Sequence, residues 1–367
     1  MGLEPPKASG SLEKAGRSGK SCGIPSFPHN ITLTESPYRE SSYSGGVGLA
    51  VEFSWPGESV LISDGGLATE LEARGHDLSG PLWSAKLLAN APQEIVAVHA
   101  EFFRAGATIA TTASYQASFE GFAAQGIDRD ETVRLLRRSV ELAKIARDEV
   151  GGTDLRIAAS VGPYGAALAD GSEYRGRYGL SVADLTRWHR PRLEILAEAG
   201  ADVLALETVP DVDEAEALVE LARSVGVPAW LSYTIDGTRT RAGQLLADAF
   251  AVAAGVPEIV AVGVNCCAPD DVLTAIGIAD IGKPVIVYPN GGQRWDSRRR
   301  AWTGPSRFTG FSGQLMPQWV AAGARIVGGC CRVRPADIAA IASIAEVAER
   351  DLRWSAPRAS GTPGRCR

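Results

Sequence analysis

Eight short runs of apolar and β-branched residues recur along the chain, at Val60–Asp64, Thr108–Thr112, Arg156–Val161, Val203–Glu207, Ala229–Tyr233, Val260–Asn265, Pro284–Pro289 and Arg325–Gly329. The stretches between them follow a helical period instead. Asp130–Val150 places Val133, Leu136, Val140 and Ala143 on one face, with Asp130 as the expected cap and Gly151-Gly152 as the stop. Pro92 and Pro335 stand where a helix can open without its first N–H, the latter predicting a helix over Pro335–Arg350. Pro191 falls inside a helical stretch and is expected to kink or split it.

Strands that are apolar throughout and alternate with helices belong to a parallel sheet covered on both faces. Eight repeats point to closure, so the expected fold is α/β, a (β/α)8 TIM barrel in one domain. A doubly wound open sheet is the alternative, and the missing G-x-G-x-x-G after the first run argues against it. The predicted organisation is a disordered extension at 1–54, the barrel at 55–354 and a flexible tail at 355–367.

Composition narrows the function. The 367 residues are 45% hydrophobic and carry a net charge of -6, which speaks against a nucleic-acid or anionic-membrane partner. No apolar run reaches the roughly 20 residues a membrane span needs. The first 54 residues are polar and rich in Gly, Pro and Ser, without the apolar centre of a secretory signal. A cytoplasmic, reducing setting is therefore expected, with free or metal-bound thiols. Cys22 and Cys366 lie in the tails; the other four cysteines form the adjacent pairs Cys266-Cys267 and Cys330-Cys331.

In such a barrel the chemistry gathers at the C-terminal ends of the strands. Those ends read Asp64, Thr112, Gly162, Glu207, Thr234, Asn265-Cys266, Asn290 and Cys330-Cys331. Cys266 from the sixth strand and Cys330 and Cys331 from the eighth could supply the three protein ligands of a catalytic zinc site. Buried structural cysteines or a redox pair are the other readings of the same spacing. Asp64, followed by Gly65-Gly66, and Glu207 are charges at the ends of apolar strands, costly unless paired. An α-ammonium group could pair both; capping of the following helices is the plainer alternative.

The segments Asp64–Leu71, Pro81–Ser84, Thr111–Ser118, Gly171–Gly176, Glu207-Thr208, Asp236–Arg239, Gly263–Cys266 and Gly328–Cys331, in that order, resemble the homocysteine S-methyltransferase family, in its branch using S-methylmethionine or S-adenosylmethionine. The resemblance runs from about Val60 to Leu352. It implies zinc held by Cys266, Cys330 and Cys331, the homocysteine amino group at Asp64 and Glu207, and its carboxylate at backbone N–H groups near Gly65 and Ser114. Cys267 stays outside that ligand set. The chain departs from the family at Tyr288–Gln293, where Gly291 and Gln293 stand in place of Ser and Glu. The implied activity is zinc-dependent methyl transfer to the homocysteine thiol, giving methionine, with small-molecule substrates as partners and neither nucleic acid nor membrane. A betaine or folate donor, a selenocysteine acceptor, or a zinc- or redox-sensing barrel are the competing functions. Trp83, Tyr115, Phe119, Tyr174, Trp295 and Trp302 are the aromatic candidates to face a sulfonium. His29, His76, His99 and His189 fall at no strand end and read as surface or structural.

Overall fold

The computed structural model describes Phe53, Trp55 and residues 59–296, 301–303 and 308–355. Cys22, His29, Cys366, most of the extension and the tail beyond Ser355 lie outside the described residues. Eight parallel strands form one sheet: β1 (Leu61–Ile62), β2 (Ile109–Thr111), β3 (Arg156–Val161), β4 (Val203–Val209), β5 (Ala229–Tyr233), β6 (Ile259–Asn265), β7 (Val285–Tyr288) and β8 (Ala324–Val327). Each pairs with its sequence neighbour, and β8 returns to β1 through Leu61↔Ile326 and Ile62↔Val327. A parallel bridge between Ser63 and Ile109, with Thr108 N–H on the Ile62 carbonyl at 2.7 Å, joins β1 to β2. The sheet is thus a (β/α)8 barrel.

Alternation along each strand sorts the core into two layers. Outward residues such as Leu204, Leu206, Val262, Val264 and Val287 pack under the helices. Inward residues form a separate apolar plug, with Ile109, Ala158, Val203, Trp230, Ile286 and Ile326 among its members. Phe53 belongs to this plug at 9% exposure, with the Arg156 guanidinium 5.6 Å from its ring. Apolar packing therefore begins inside the segment expected to be an extension. Further along β3 to β7 the inward positions turn polar, at Ser160, Glu207, Ser232, Asn265 and Tyr288. The barrel floor is greasy and its upper end is built for chemistry.

The helices follow the expected plan with local differences. The helices α1 (Leu67–Ala73) and α2 (Pro92–Arg104) precede β2, and Pro92 opens α2. In α3 (Arg129–Val150) the cap is Asp128, whose side chain accepts the Glu131 N–H at 2.8 Å. Asp130 sits in the first turn instead, where its charge suits the helix dipole but its side chain cannot reach back. Next, α4 (Val182–Glu198) runs through Pro191 without splitting, its Leu185, Leu193 and Leu196 buried on either side of the missing hydrogen bond. After it come α5 (Val212–Val225), α6 (Leu246–Ala251), α7 (Pro269–Ile278), α8 (Phe308–Ala321) and α9 (Pro335–Ser355). Two small hairpins, Ile235–Asp236 with Arg239–Thr240 and Arg294–Asp296 with Ala301–Thr303, decorate the barrel and were not anticipated. Among the described residues no helix is long and apolar enough to cross a membrane.

Candidate active site

Three sulfurs meet where β6 and β8 end. Cys266 Sγ lies 2.9 Å from Cys330 Sγ and 3.7 Å from Cys331 Sγ, and all three sulfurs fall within 4.8 Å of one another. Backbone hydrogen bonds fix the loops that carry them: Cys266 N–H reaches the Tyr288 carbonyl at 3.3 Å, and Cys330 N–H the Pro289 carbonyl at 2.8 Å. Gly329 is required by close approach, since a Cβ there would stand 2.2 Å from Val333 Cγ1. Thiol contacts from Cys330 and Cys331, and the Tyr174 hydroxyl at 3.7 Å, hold the Cys266 thiol well below its ordinary value. Cys267 turns outward into the apolar layer, where burial pushes its thiol up. It packs as a core residue.

Two strained residues flank this centre. Thr208 has φ +59° and Cys266 φ +49°, a region unfavourable to L side chains and above all to a β-branched one. Asn265 compensates. Its Oδ1 accepts from Thr208 N–H and the Ser232 hydroxyl, and its Nδ2 donates to Thr208 Oγ1, all at 2.8 Å. One buried amide thus couples the strand bearing Cys266 to the strand bearing Glu207.

Both expected carboxylates are buried in the same chamber. Asp64 accepts the Thr111 N–H at 2.8 Å, yet burial pushes its carboxyl up to about 7. Glu207 accepts from the Ser160 hydroxyl, and burial outweighs that bond to push it up to about 8. A cation seated between them would recover the lost solvation. The chamber holds about 890 Å³ and is lined by Asp64, Gly65, Glu207 and all three ligand-candidate cysteines. Trp83, Tyr115 and Tyr174 also line it. Phe119 does not; its ring takes the Arg129 guanidinium at 4.4 Å. Trp295 and Trp302 are cross-strand partners in the second hairpin, their side chains outside the described residues.

Ser114 stands behind the lining, its hydroxyl donating to the Ser160 carbonyl at 2.7 Å. His76, read as surface or structural, is in fact a lining residue, while His99 and His189 are fully buried. Reasoning from sequence named Asn265 only as a strand end and gave no role to it, to Ser160 or to Tyr288; inward alternation on β3, β6 and β7 was the signal available for them.

The matching family model is that of homocysteine S-methyltransferase, over residues 61–345, the whole of the described barrel apart from its edges. The chain belongs to the homocysteine S-methyltransferase family. The homocysteine S-methyltransferase of Escherichia coli is 47% identical over 77% of this chain and 94% of its own. A selenocysteine Se-methyltransferase of Brassica oleracea is 42% identical over 76% of this chain and 87% of its own. Among solved structures, the metallated form of the E. coli homocysteine methyltransferase superposes with a TM-score of 0.70, at 44% identity over 78% of this chain and 96% of that one. The chain is a methyltransferase.

The sulfur cluster could hold a metal, and the E. coli relative is known in a metallated form. Thiolates at about 2.3 Å from a tetrahedral zinc stand about 3.8 Å apart. The Cys266–Cys331 pair meets that spacing and the Cys266–Cys330 pair, at 2.9 Å, needs only a small opening. Gly291 and Gln293, the two positions expected to depart from the family, both meet Arg332. A Cβ at Gly291 would come 2.8 Å from the Arg332 carbonyl, and Gln293 Oε1 accepts from Arg332 Nε at 2.7 Å.

Proposed function

We propose that the protein transfers a methyl group from a sulfonium donor, S-methylmethionine or S-adenosylmethionine, to the thiol of L-homocysteine, using zinc held by Cys266, Cys330 and Cys331. The observation that carries this reading is the charge of the chamber. Six carboxylates line it (Asp64, Glu72, Asp77, Asp170, Glu173 and Glu207), together with the three cysteines, and no Lys or Arg is among the described residues that line it. Such a wall favours substrates that bring positive charge. Homocysteine brings an ammonium group and a sulfonium donor brings a second cation. A folate, with its anionic tail, is opposed by the same wall.

Zinc, when bound, supplies stabilisation of the acceptor sulfur as a thiolate at neutral pH, with release of the thiol proton. Asp64 and Glu207 receive the homocysteine ammonium, which returns both carboxyls to their charged form. Gly65 and the turn that Ser114 fixes offer backbone N–H groups to the carboxylate. Trp83, Tyr115 and Tyr174 present aromatic faces to the sulfonium. In the transfer, a new S–CH3 bond forms on homocysteine while the donor's S–CH3 bond breaks, and the bonding pair leaves with a neutral sulfide. No proton needs delivery to the leaving group, consistent with a chamber where His76 is the one histidine among the described lining residues. Positioning both reactants in line is worth about 7–11 kcal/mol. A reducing compartment such as the cytoplasm would keep the three thiols available.

The test is direct: zinc-loaded protein, homocysteine, and each sulfonium in turn, with methionine as the readout. Methionine formation from at least one sulfonium is expected. Turnover with betaine or methyltetrahydrofolate and with neither sulfonium overturns the donor assignment. Selenocysteine as acceptor is the companion arm, because the Brassica relative is named for that reaction.

A further inference from the structure

The most costly group in the barrel wall has no part in the chemistry described above. Arg192, in the middle of α4, is 2% exposed, and burial lowers its guanidinium to about 10 without discharging it at neutral pH. A helix position of this kind is ordinarily a solvated face. Here the guanidinium points inward to two backbone carbonyls. Nη2 donates to Gly162, just past the end of β3, and Nη1 donates to Ala117, in the loop after β2, at 3.3 Å. Its other neighbours are the Trp188 ring at 4.9 Å and the Glu214 carboxylate. Glu214 is fully buried too, and it holds the same loop from the other side. It accepts the Tyr164 N–H at 2.6 Å and the His189 ring nitrogen at 2.9 Å.

Opposite charges buried near one another are weak support for stability, because desolvation offsets much of their attraction. What Arg192 does achieve is geometric. Between Ala117 and Gly162 lies Tyr115, a lining residue. Its carbonyl and ring edge come so close to Gly162 that a Cβ there would stand 2.5 Å from Tyr115 O and 2.7 Å from Tyr115 Cδ2. On its other side the Tyr115 ring meets Trp83 edge-on, with centroids 5.9 Å apart. Thr208, the strained residue after Glu207, lines the same chamber.

We propose that Arg192 is a positioning residue for the methyl donor, fixing the Ala117 and Gly162 carbonyls so that Tyr115 is seated against Gly162 and Trp83 as a rigid aromatic wall of the chamber. This rests on the donor reading above. The Asp64–Glu207 ammonium site and the sulfur cluster are carried by other strands, so Arg192 acts on the donor wall directly, reaches the acceptor only through the turn that joins Ser114 to Ala117, and leaves the metal alone.

Arg192→Lys keeps the charge but cannot span two carbonyls; Gly162→Ala keeps Arg192 and displaces Tyr115. Both are compared with wild type, zinc-loaded, for zinc per chain, homocysteine Kd by calorimetry without donor, and donor KM. Displacing a reactant by about 1 Å can cost up to a hundredfold. A donor KM raised roughly tenfold or more is expected in both, with zinc content within twofold of wild type and a homocysteine Kd that rises several-fold less than donor KM. The assignment is overturned if donor KM stays within twofold of wild type in a folded variant, or if homocysteine Kd rises in step with it. Should Arg192→Lys not fold, Gly162→Ala alone decides. Donor KM is measured against whichever donor wild type uses. A wild type that ignores sulfoniums therefore overturns the donor reading, while variants that behave as wild type overturn the role of Arg192.

Discussion

Replacing Glu207 with Gln separates what the site costs the fold from what it contributes to binding. The change is nearly isosteric, and the Gln oxygen can still accept from the Ser160 hydroxyl. In the unfolded chain a glutamate ionises near 4.5, whereas in the folded protein burial holds the Glu207 proton until about 8. Between those values the unfolded state carries fewer protons than the folded one, so stability falls as pH rises through the window. At about 1.4 kcal/mol per pH unit, and allowing for partial titration at pH 5, the loss between pH 5 and pH 7 is roughly 2.5 kcal/mol. Gln at this position does not titrate. Urea melts of metal-free wild type and Glu207→Gln at both pH values give the difference with other groups cancelled. The variant should gain roughly 2–3 kcal/mol relative to wild type from pH 5 to pH 7. It should also lose about 2 kcal/mol or more of homocysteine binding, a thirtyfold rise in Kd, because a buried charge has lost its partner. A stability gap that does not change with pH refutes the burial argument. Homocysteine affinity within threefold of wild type refutes the ammonium role.

Cys331→Ser is expected to lose its zinc and to slow methyl transfer by at least about a hundredfold, measured by metal analysis and methionine release; normal turnover without metal would contradict the mechanism. Asn265→Ala strands the Thr208 N–H and the Ser232 hydroxyl in full burial, at about 1–3 kcal/mol each. It should cost about 2–4 kcal/mol in urea melts, and a loss under 1 kcal/mol would show the strained Thr208 is held by something else. His99 is fully buried, and burial lowers its ring to about 4 from 6.5. The unfolded state therefore takes up protons first as pH falls, and wild type should lose about 3 kcal/mol relative to His99→Leu between pH 7 and pH 4. Parallel stability curves for the two proteins would contradict this.

The barrel was legible because each strand is apolar on both faces and each helix is not. The runs at Arg156–Val161 and Ala229–Tyr233 coincide with β3 and β5, and the other six agree within two residues. The sulfur cluster was legible too, since a strand's end is a position along the chain and only β7 separates β6 from β8 in the sheet. What escaped was whatever depends on three or more elements at once. Nothing local marks Thr208 for a positive φ, because its stabiliser, Asn265, lies on another strand. Ser114 follows a strand end in sequence, but its hydroxyl is turned to the Ser160 carbonyl behind the chamber. Arg192 reads as a surface charge until the carbonyls of two loops are seen to surround it. Asp128 was passed over for Asp130 because both fit the capping preference and only the reach to Glu131 distinguishes them.

The account depends on Cys266, Cys330 and Cys331 holding one zinc that the acceptor sulfur then joins. X-ray absorption at the zinc edge tests this most directly, on zinc-loaded protein before and after homocysteine is added. Three sulfurs at about 2.3 Å, rising to four with homocysteine, is the predicted result. A sulfur count that stays the same on adding homocysteine, or a first shell of nitrogen and oxygen, would contradict it.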